Sequence, residues 1–427
     1  MMLKYSYSIL TQSQDLIILA AAASGVRVEG KKKMFTEKEK KELGNLRKKS
    51  LEVINSVSLK NGGIMASPPE ARYPYIYPRD LSLILRVLNE LGEYERVKRS
   101  LDFLLKAQRE TGEWAQRYDT KGNIASYRPP QLDCNGLVLY MLRLYYESTG
   151  DEKFLEKAWN PINQGMEFIK EHYLPEERLL YSLNSIHEWP PMEAGFDVWV
   201  NITCYSGIRS SYKIASQLGK EDKAEEWRDL ARDLWIGISK KLIDENRFIK
   251  LEDHRRISDA DISEMAPYIT RCVGTNETVM RNTVKYIEEN LWDPELTGIS
   301  RYMEKYGKPG RNNGGYGPYS MYTGWMAQYY LDADKIDKAE KYVKWFLQYN
   351  RGGLIPEHVS TKKRFMEWKK EAIEVGRYGS VGRKEEAQRV LASEEYKKNL
   401  VYWVVPLTWG HAEYLKTYHK LAEKGLI

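Results

Sequence analysis

The chain has 427 residues, of which 42% are hydrophobic and 30% charged. With a mean hydropathy of −0.60, this excludes a polytopic membrane protein and gives no compositional case for disorder. Sixty-six Lys and Arg against 60 Asp and Glu leave a net charge of +6. The excess is spread thinly, so Lys31–Lys33 and the mixed stretch from Lys38 to Lys49 read as solvated faces rather than a nucleic-acid patch.

The N-terminal run from Asp15 to Ser24 imitates a signal-peptide core, but an acidic residue opens it and no basic segment adjoins it. It is also too short to span a bilayer. Residues 1–35 are expected to be an extension, and 36–427 a single domain. Helical periodicity dominates from there. Apolar spacing predicts helices over 36–57, 80–92, 94–108, 133–149, 152–171, 199–218, 220–242, 275–291, 318–332, 334–349 and 407–424. Leu81, Ile84, Leu85, Leu88 and Leu91 share one face, for example. Short Gly or Asp turns such as Gly150-Asp151 favour antiparallel neighbours.

Several helices run into a short extended piece rich in Gly or aromatics. Six such pieces begin at Gly63, Gly112, Leu179, Arg247, Gly298 and Gly353. Six units of helix, extended loop and helix describe a closed all-α toroid, an (α/α)6 barrel, and their uneven spacing argues against an open solenoid. In such a toroid the six loops gather at one end, around one cleft.

Cys134, Cys204 and Cys272 form neither a disulfide framework nor a zinc spacing, so reduced, packed thiols in a cytoplasmic protein are expected. There is no phosphate-binding loop, dinucleotide fingerprint or HExxH motif. Acidic and aromatic residues in the loops remain, pointing to carboxylate chemistry. Thirty-one Tyr and 12 Trp suit either a sugar cleft or an aromatic core.

Five segments stand out. Tyr73–Asp80 (YPYIYPRD) brings three tyrosines to an Arg79-Asp80 pair, which suits clamping vicinal hydroxyls or capping a helix. Gln131-Leu-Asp133 opens another helix. Ser185-Ile-His-Glu-Trp-Pro-Pro-Met-Glu-Ala-Gly195 carries Glu188 and a competing Glu193. Leu354–His358 carries Glu357, and Pro406–Leu415 opens the last helix.

In this order, together with Gly317–Trp325 (GPYSMYTGW), these segments resemble glycoside hydrolase family 15, the glucoamylase-like enzymes, over residues 45–425. The resemblance implies an (α/α)6 barrel that hydrolyses α-glucosidic bonds with inversion. It implies Glu357 as general base, Arg79 and Asp80 on the terminal sugar, and Asp133 as a further substrate-site landmark. Tyr77, Trp114, Tyr316 and Trp325 are the stacking candidates. The family's Trp-Glu-Glu acid segment is altered here. Aligning Ser-Ile favours Glu188 as general acid, with burial against Trp189 expected to raise its pKa, and Glu193 is the alternative. Inversion needs the two carboxyls roughly 6.5–9.5 Å apart.

The resemblance implies no metal or organic cofactor, an oligosaccharide or disaccharide substrate, and neither nucleic acid nor membrane as partner. The short sequence before the barrel leaves no room for the β-sandwich of prokaryotic relatives, so soluble α-glucosides are expected rather than raw starch. A trehalase, a phosphorylase, a hydrolase of another sugar on the same barrel, or a sugar-binding protein without turnover are the alternatives.

Overall fold

The computed structural model describes residues 34–126, 128–253, 256–307, 311–380 and 382–427. The expectations for residues 1–33 lie outside these. The first helix, α1 (Glu37–Val57), starts at Thr36, whose hydroxyl accepts from Glu39 N while the Glu39 carboxylate accepts from Thr36 N. This reciprocal pair satisfies two N–H groups that no helical turn can reach. Then follow α2 (Pro78–Glu90) and α3 (Tyr94–Ala107), α4 (Leu132–Thr149) and α5 (Glu152–Lys170), and α6 (Val198–Gln217) and α7 (Glu221–Lys241). Pro78 starts α2 with its φ already helical, and Gly150 ends α4 in the left-handed conformation.

The fourth hairpin is abbreviated. Its inner element is a single 3-10 and α turn over residues 262–269, followed by α8 (Thr278–Leu291). α9 (Ser320–Asp332) and α10 (Ile336–Gln348) form the fifth hairpin. α11 (Lys362–Glu374) and α12 (Arg383–Leu391) are excursions before α13 (Thr408–Glu423), which pairs with α1 to close the ring.

An inner ring of α2, α4, α6, the 262–269 turn, α9 and α13 sits inside an outer ring of α3, α5, α7, α8, α10 and α1. The sequence explains the division. α4, α6, α9 and α13 are buried on almost every face over their cleft-end halves, whereas α1, α3 and α10 bury one stripe each. α4 and α6 cross so closely that a Cβ on Gly136 would lie 2.5 Å from the Thr203 backbone, and one on Gly207 would lie 2.7 Å from Gly136. Charged pairs are buried within the inner ring. Arg86 on α2 donates to the Glu413 carboxylate on α13 at 3.0 Å, and Gln328 and Trp409 donate to the same carboxylate.

The expected helices match to within three residues, and the expected (α/α)6 barrel is the fold. The sequence reading lacked the 262–269 turn, α11 and α12. The first is one short 3-10 turn and one short α turn, and carries Pro267. The other two are mostly polar and bury only a few residues each. The extended pieces are two-residue ribbons or single bridges: Leu179–Leu180 pairs with Tyr173–Leu174, and Gly298–Ile299 with Trp292–Asp293. The longest pairing joins His358–Thr361 to Leu400–Trp403. Cys134, Cys204 and Cys272 are free thiols, as expected. No helix among the described residues is long and apolar enough to cross a membrane.

Candidate active site

The full-length inner helices all begin at one end of the barrel, where their first turns and the preceding loops surround a cleft. Tyr77, Arg79 and Asp80 come from the start of α2, Tyr319, Met321 and Tyr322 from the start of α9, and Leu407 and Trp409 from the start of α13. Glu188 enters on the loop before α6, and Glu357 on the loop before α11.

Glu188 sits in a bent loop held from below. Its φ is 56°, a conformation that a non-glycine residue keeps only when its surroundings enforce it. The enforcing group is Glu193. Its buried carboxylate accepts from the backbone N–H groups of Ser185 (3.1 Å), His187 (2.5 Å) and Trp189 (2.8 Å). The neighbouring Asp197 carboxylate binds Ser185 Oγ at 2.8 Å and Lys250 Nζ at 2.5 Å. Asp261 accepts from His187 Nε2 at 2.9 Å. Four buried ionic side chains thus fix the loop, and Glu188 alone of its acids reaches the cleft.

Above this platform, Glu188 Oε1 accepts from Arg79 at 3.2 Å, and Oε2 lies 3.3 Å from Arg128. Arg79 also donates to Asp133 at 3.1 Å and to Gln131 at 3.1 Å. Burial pushes the Glu188 carboxyl up, but Arg79 and Arg128 outweigh it and hold the group below its ordinary value. This corrects the expectation that Trp189 would raise it: the Trp189 ring instead faces the Arg311 guanidinium, 5.0 Å from its centroid.

Glu357 is anchored by its backbone. Its N–H is shared between the Trp403 and Val404 carbonyls, and its own carbonyl accepts from Ser320 N at the start of α9. One carboxyl oxygen is buried with no hydrogen-bond partner. Burial pushes this carboxyl up to about 7, against the opposing pull of Arg72 and Arg301. Asp80 is likewise pushed up to about 7, by burial and by the nearby Glu188 and Asp133, with Arg79 opposing.

Five of the nine residues singled out in the sequence therefore line one cleft: Tyr77, Arg79, Asp80, Glu188 and Glu357. The other four do not. Asp133 is completely buried beneath Arg79 and also binds Trp199 Nε1 at 2.8 Å, so it orients the guanidinium rather than facing the cleft. Trp114 is buried against Gly165 and donates its indole N–H to the Leu104 carbonyl. Trp325 is buried on α9, stacked on Trp199 at 5.8 Å, and supports Tyr322 and Trp409 from behind. Tyr316 lines a separate pocket with Arg364 and Trp368. Three of the four aromatic expectations are thus corrected: these rings build walls and core, not the cleft surface.

The sequence reading also missed most of the cleft's cations. Arg72, Arg117, Arg128, Arg301, Arg311 and Arg383 line it, from the loops before α2, α4 and α9 and from the start of α12. Nothing in their local sequence distinguishes them from surface arginines. Tyr319 and Tyr322 were within reach, since they lie inside Gly317–Trp325.

Among the described residues no group of three or more His, Cys, Asp or Glu could hold a metal ion. Residues 87–291 match the bacterial alpha-L-rhamnosidase 6 hairpin glycosidase domain. The chain is 26% identical to an uncharacterized glycosyl hydrolase of Methanocaldococcus jannaschii over 334 residues, which cover 74% of this chain and 51% of that protein. It is 23% identical to Trehalase 2 of Sulfolobus acidocaldarius over 351 residues, covering 73% of this chain and 58% of that protein. The chain thus spans little more than half the length of these curated relatives. A bacterial glucoamylase solved with acarbose superimposes with a TM-score of 0.65 at 16% identity, over 88% of this chain and 55% of that one. The fold is that of the six-hairpin glycosidases.

Proposed function

We propose that this glycoside hydrolase domain of the six-hairpin superfamily removes terminal α-linked glucose from soluble saccharides with inversion at the anomeric carbon. One observation carries the reading: two carboxyl groups, Glu188 and Glu357, enter one cleft from separate loops with the Arg79-Asp80 pair alongside. An inverting hydrolase needs such a pair. Glu188 protonates the glycosidic oxygen as the bond to the anomeric carbon breaks. Glu357 takes a proton from the water that attacks the opposite face. Arg79 and Asp80 hold the hydroxyls of the terminal sugar, and Tyr77 packs beside it. The glucoamylase neighbour and the trehalase relative support an α-glucosidic substrate.

A specific observation also favours the exchanged roles. Glu357 holds its proton to a higher pH than Glu188 does. With one proton on the pair, the two arrangements differ only in which carboxyl carries it, and a bell-shaped pH profile does not distinguish them. The leaving group does. Glu188→Gln retains activity on activated aryl glucosides if Glu188 is the acid; the same behaviour in Glu357→Gln instead exchanges the assignments.

The reaction itself is tested by following anomeric protons by NMR across a panel of soluble α-glucosides that includes trehalose. First-formed β-glucose supports the reading. First-formed α-glucose, or no release from any member, overturns it.

A further inference from the structure

The cleft carries more positive charge than a neutral sugar can use. Seven arginines line it against three carboxylates. Three of the seven are occupied within the protein: Arg79 by Asp133 and Glu188, Arg128 by Glu188, and Arg117 by the Tyr77 hydroxyl and the Ala125 carbonyl. The other four, Arg72, Arg301, Arg311 and Arg383, have no carboxylate within ion-pair distance among the described residues.

Their surroundings are aromatic or neutral. Arg72 lies over the Tyr73 and Trp403 rings, and Arg301 over Tyr302 and Tyr319. Arg311 faces Trp189 and donates to the His187 carbonyl. Arg383 donates to Asn313 at 2.8 Å and to Ser380. Polar nitrogens remain unused in the interior. Nε and Nη1 of Arg72, Nε of Arg301 and Nε of Arg311 are buried without an acceptor. Arg311 and Arg383 are themselves only 6% exposed. Burial and mutual repulsion depress the pKa of both, with Arg72, Arg301 and Arg377 among the repelling neighbours.

Uncompensated buried charge is costly, and cation–π contacts return only part of that cost. Sugar hydroxyls satisfy donors but bring no charge. A carboxylate or phosphate does both, and matches the guanidinium fork. We propose that Arg72, Arg301, Arg311 and Arg383 form an oxyanion-binding subsite, so that the saccharide taken by this cleft carries a carboxylate or phosphate group. The inference deepens the hydrolase reading and rests on it for the cleft's role. The reaction that supplies this substrate is then the joining of a sugar to an acidic acceptor, or the acidification of a glucoside.

The test uses binding to the full-length protein, with probes that contain no bond to cleave: glucose, glucuronate, glucose 6-phosphate and inorganic phosphate, by calorimetry at low and high salt. The expected result is that at least one anionic sugar binds about tenfold or more tightly than glucose. The advantage should shrink in salt and be lost in Arg311→Gln and in Arg383→Gln. Arg311→Lys, which keeps the charge, should retain part of it. Preference for glucuronate identifies a carboxylate ligand; preference for glucose 6-phosphate, or competition by phosphate alone, identifies a phosphate ligand.

Equal affinity for glucose and both anionic sugars overturns the subsite, as does an advantage unchanged in both Gln variants. The hydrolase reading fails separately. Turnover of neutral α-glucosides without charge preference would remove the subsite and leave the hydrolase; charge-selective binding with no glycoside cleaved would do the reverse.

Discussion

Arg79 stands between two carboxylates, donating to Asp133 at 3.1 Å below and to Glu188 at 3.2 Å above. Asp133 is wholly buried, so its charge fixes the guanidinium plane, and that plane fixes where Glu188 points. Arg79→Lys keeps the charge but loses the fork. We expect kcat/KM to fall about 10- to 100-fold, with the fold retained by circular dichroism. A wild-type value would show that the fork orients nothing of consequence.

The two carboxyl variants separate by leaving group. Glu188→Gln should lower turnover of a disaccharide by about 10²–10⁴-fold and recover in part on activated aryl glucosides. Glu357→Gln should fall by a similar factor without that recovery. Near-wild-type kinetics in both would reject the pair.

Glu193→Gln tests a different role. Glu193 accepts three backbone N–H groups of the Glu188 loop, and an amide oxygen cannot accept them all as well. Losing that anchor should cost about 1–3 kcal/mol of stability and reduce kcat on every substrate, with no preference for activated leaving groups. If aryl glucosides alone are spared, Glu193 rather than Glu188 is the acid.

The pH profile follows from Glu357. Activity requires one proton on the Glu188–Glu357 pair, and the Glu357 carboxyl, pushed up to about 7, is the last of the two to lose it. The kcat/KM profile should therefore fall as pH rises through about 7. Arg72 is the strongest opposing influence on this group, so Arg72→Leu should move that limb to higher pH. Stability follows the opposite sign. A carboxyl whose folded pKa exceeds its unfolded value favours the folded state most at low pH, and that contribution is lost as pH rises from the unfolded value through about 7. Glu357→Gln should raise Tm relative to wild type above pH 7 and not at pH 4. An identical difference at both would remove the linkage.

Gly136→Ala probes the tightest crossing in the barrel. The added Cβ would meet backbone 2.5 Å away on α6, so the two helices must separate. A loss of about 1–3 kcal/mol is expected by denaturant unfolding. Arg86→Leu should cost about 3–5 kcal/mol, because it strands the Glu413 carboxylate in the inner ring, and Arg86→Leu/Glu413→Leu should cost less than the single change.

Much of the barrel was legible because its helices are long and periodic. The outer helices announce themselves by stripe, the inner ones by length and turn residues. The loops carrying Glu188 and Glu357 were legible from residue type and order. The functions of individual rings were not. Trp114 and Trp325 are as aromatic as Trp409, yet of the three only Trp409 lines the cleft, and the difference lies in which side each segment turns toward the cleft. The arginines were hidden for a related reason. Arg72 and Arg383 lie far in sequence from Arg301 and Arg311, and the four line one cleft only after the ring closes. Glu193 looked like a rival to Glu188, and its role as an anchor depends on a loop bend that no local pattern encodes.

The full-length inner helices all start at the cleft, and their outer partners run the other way. Summed over the whole barrel, these opposed peptide dipoles nearly cancel. They do not cancel at the cleft, because the N-termini of the inner helices face it directly while the C-termini of their outer partners lie in the outer ring, so each inner helix presents the positive pole of its backbone. None of α2, α4, α9 and α13 has a side chain accepting its first N–H groups. The summed helix dipoles are thus nearly silent at long range but electropositive over a few ångströms at the cleft, where they add to the hold its arginines exert on a negatively charged group.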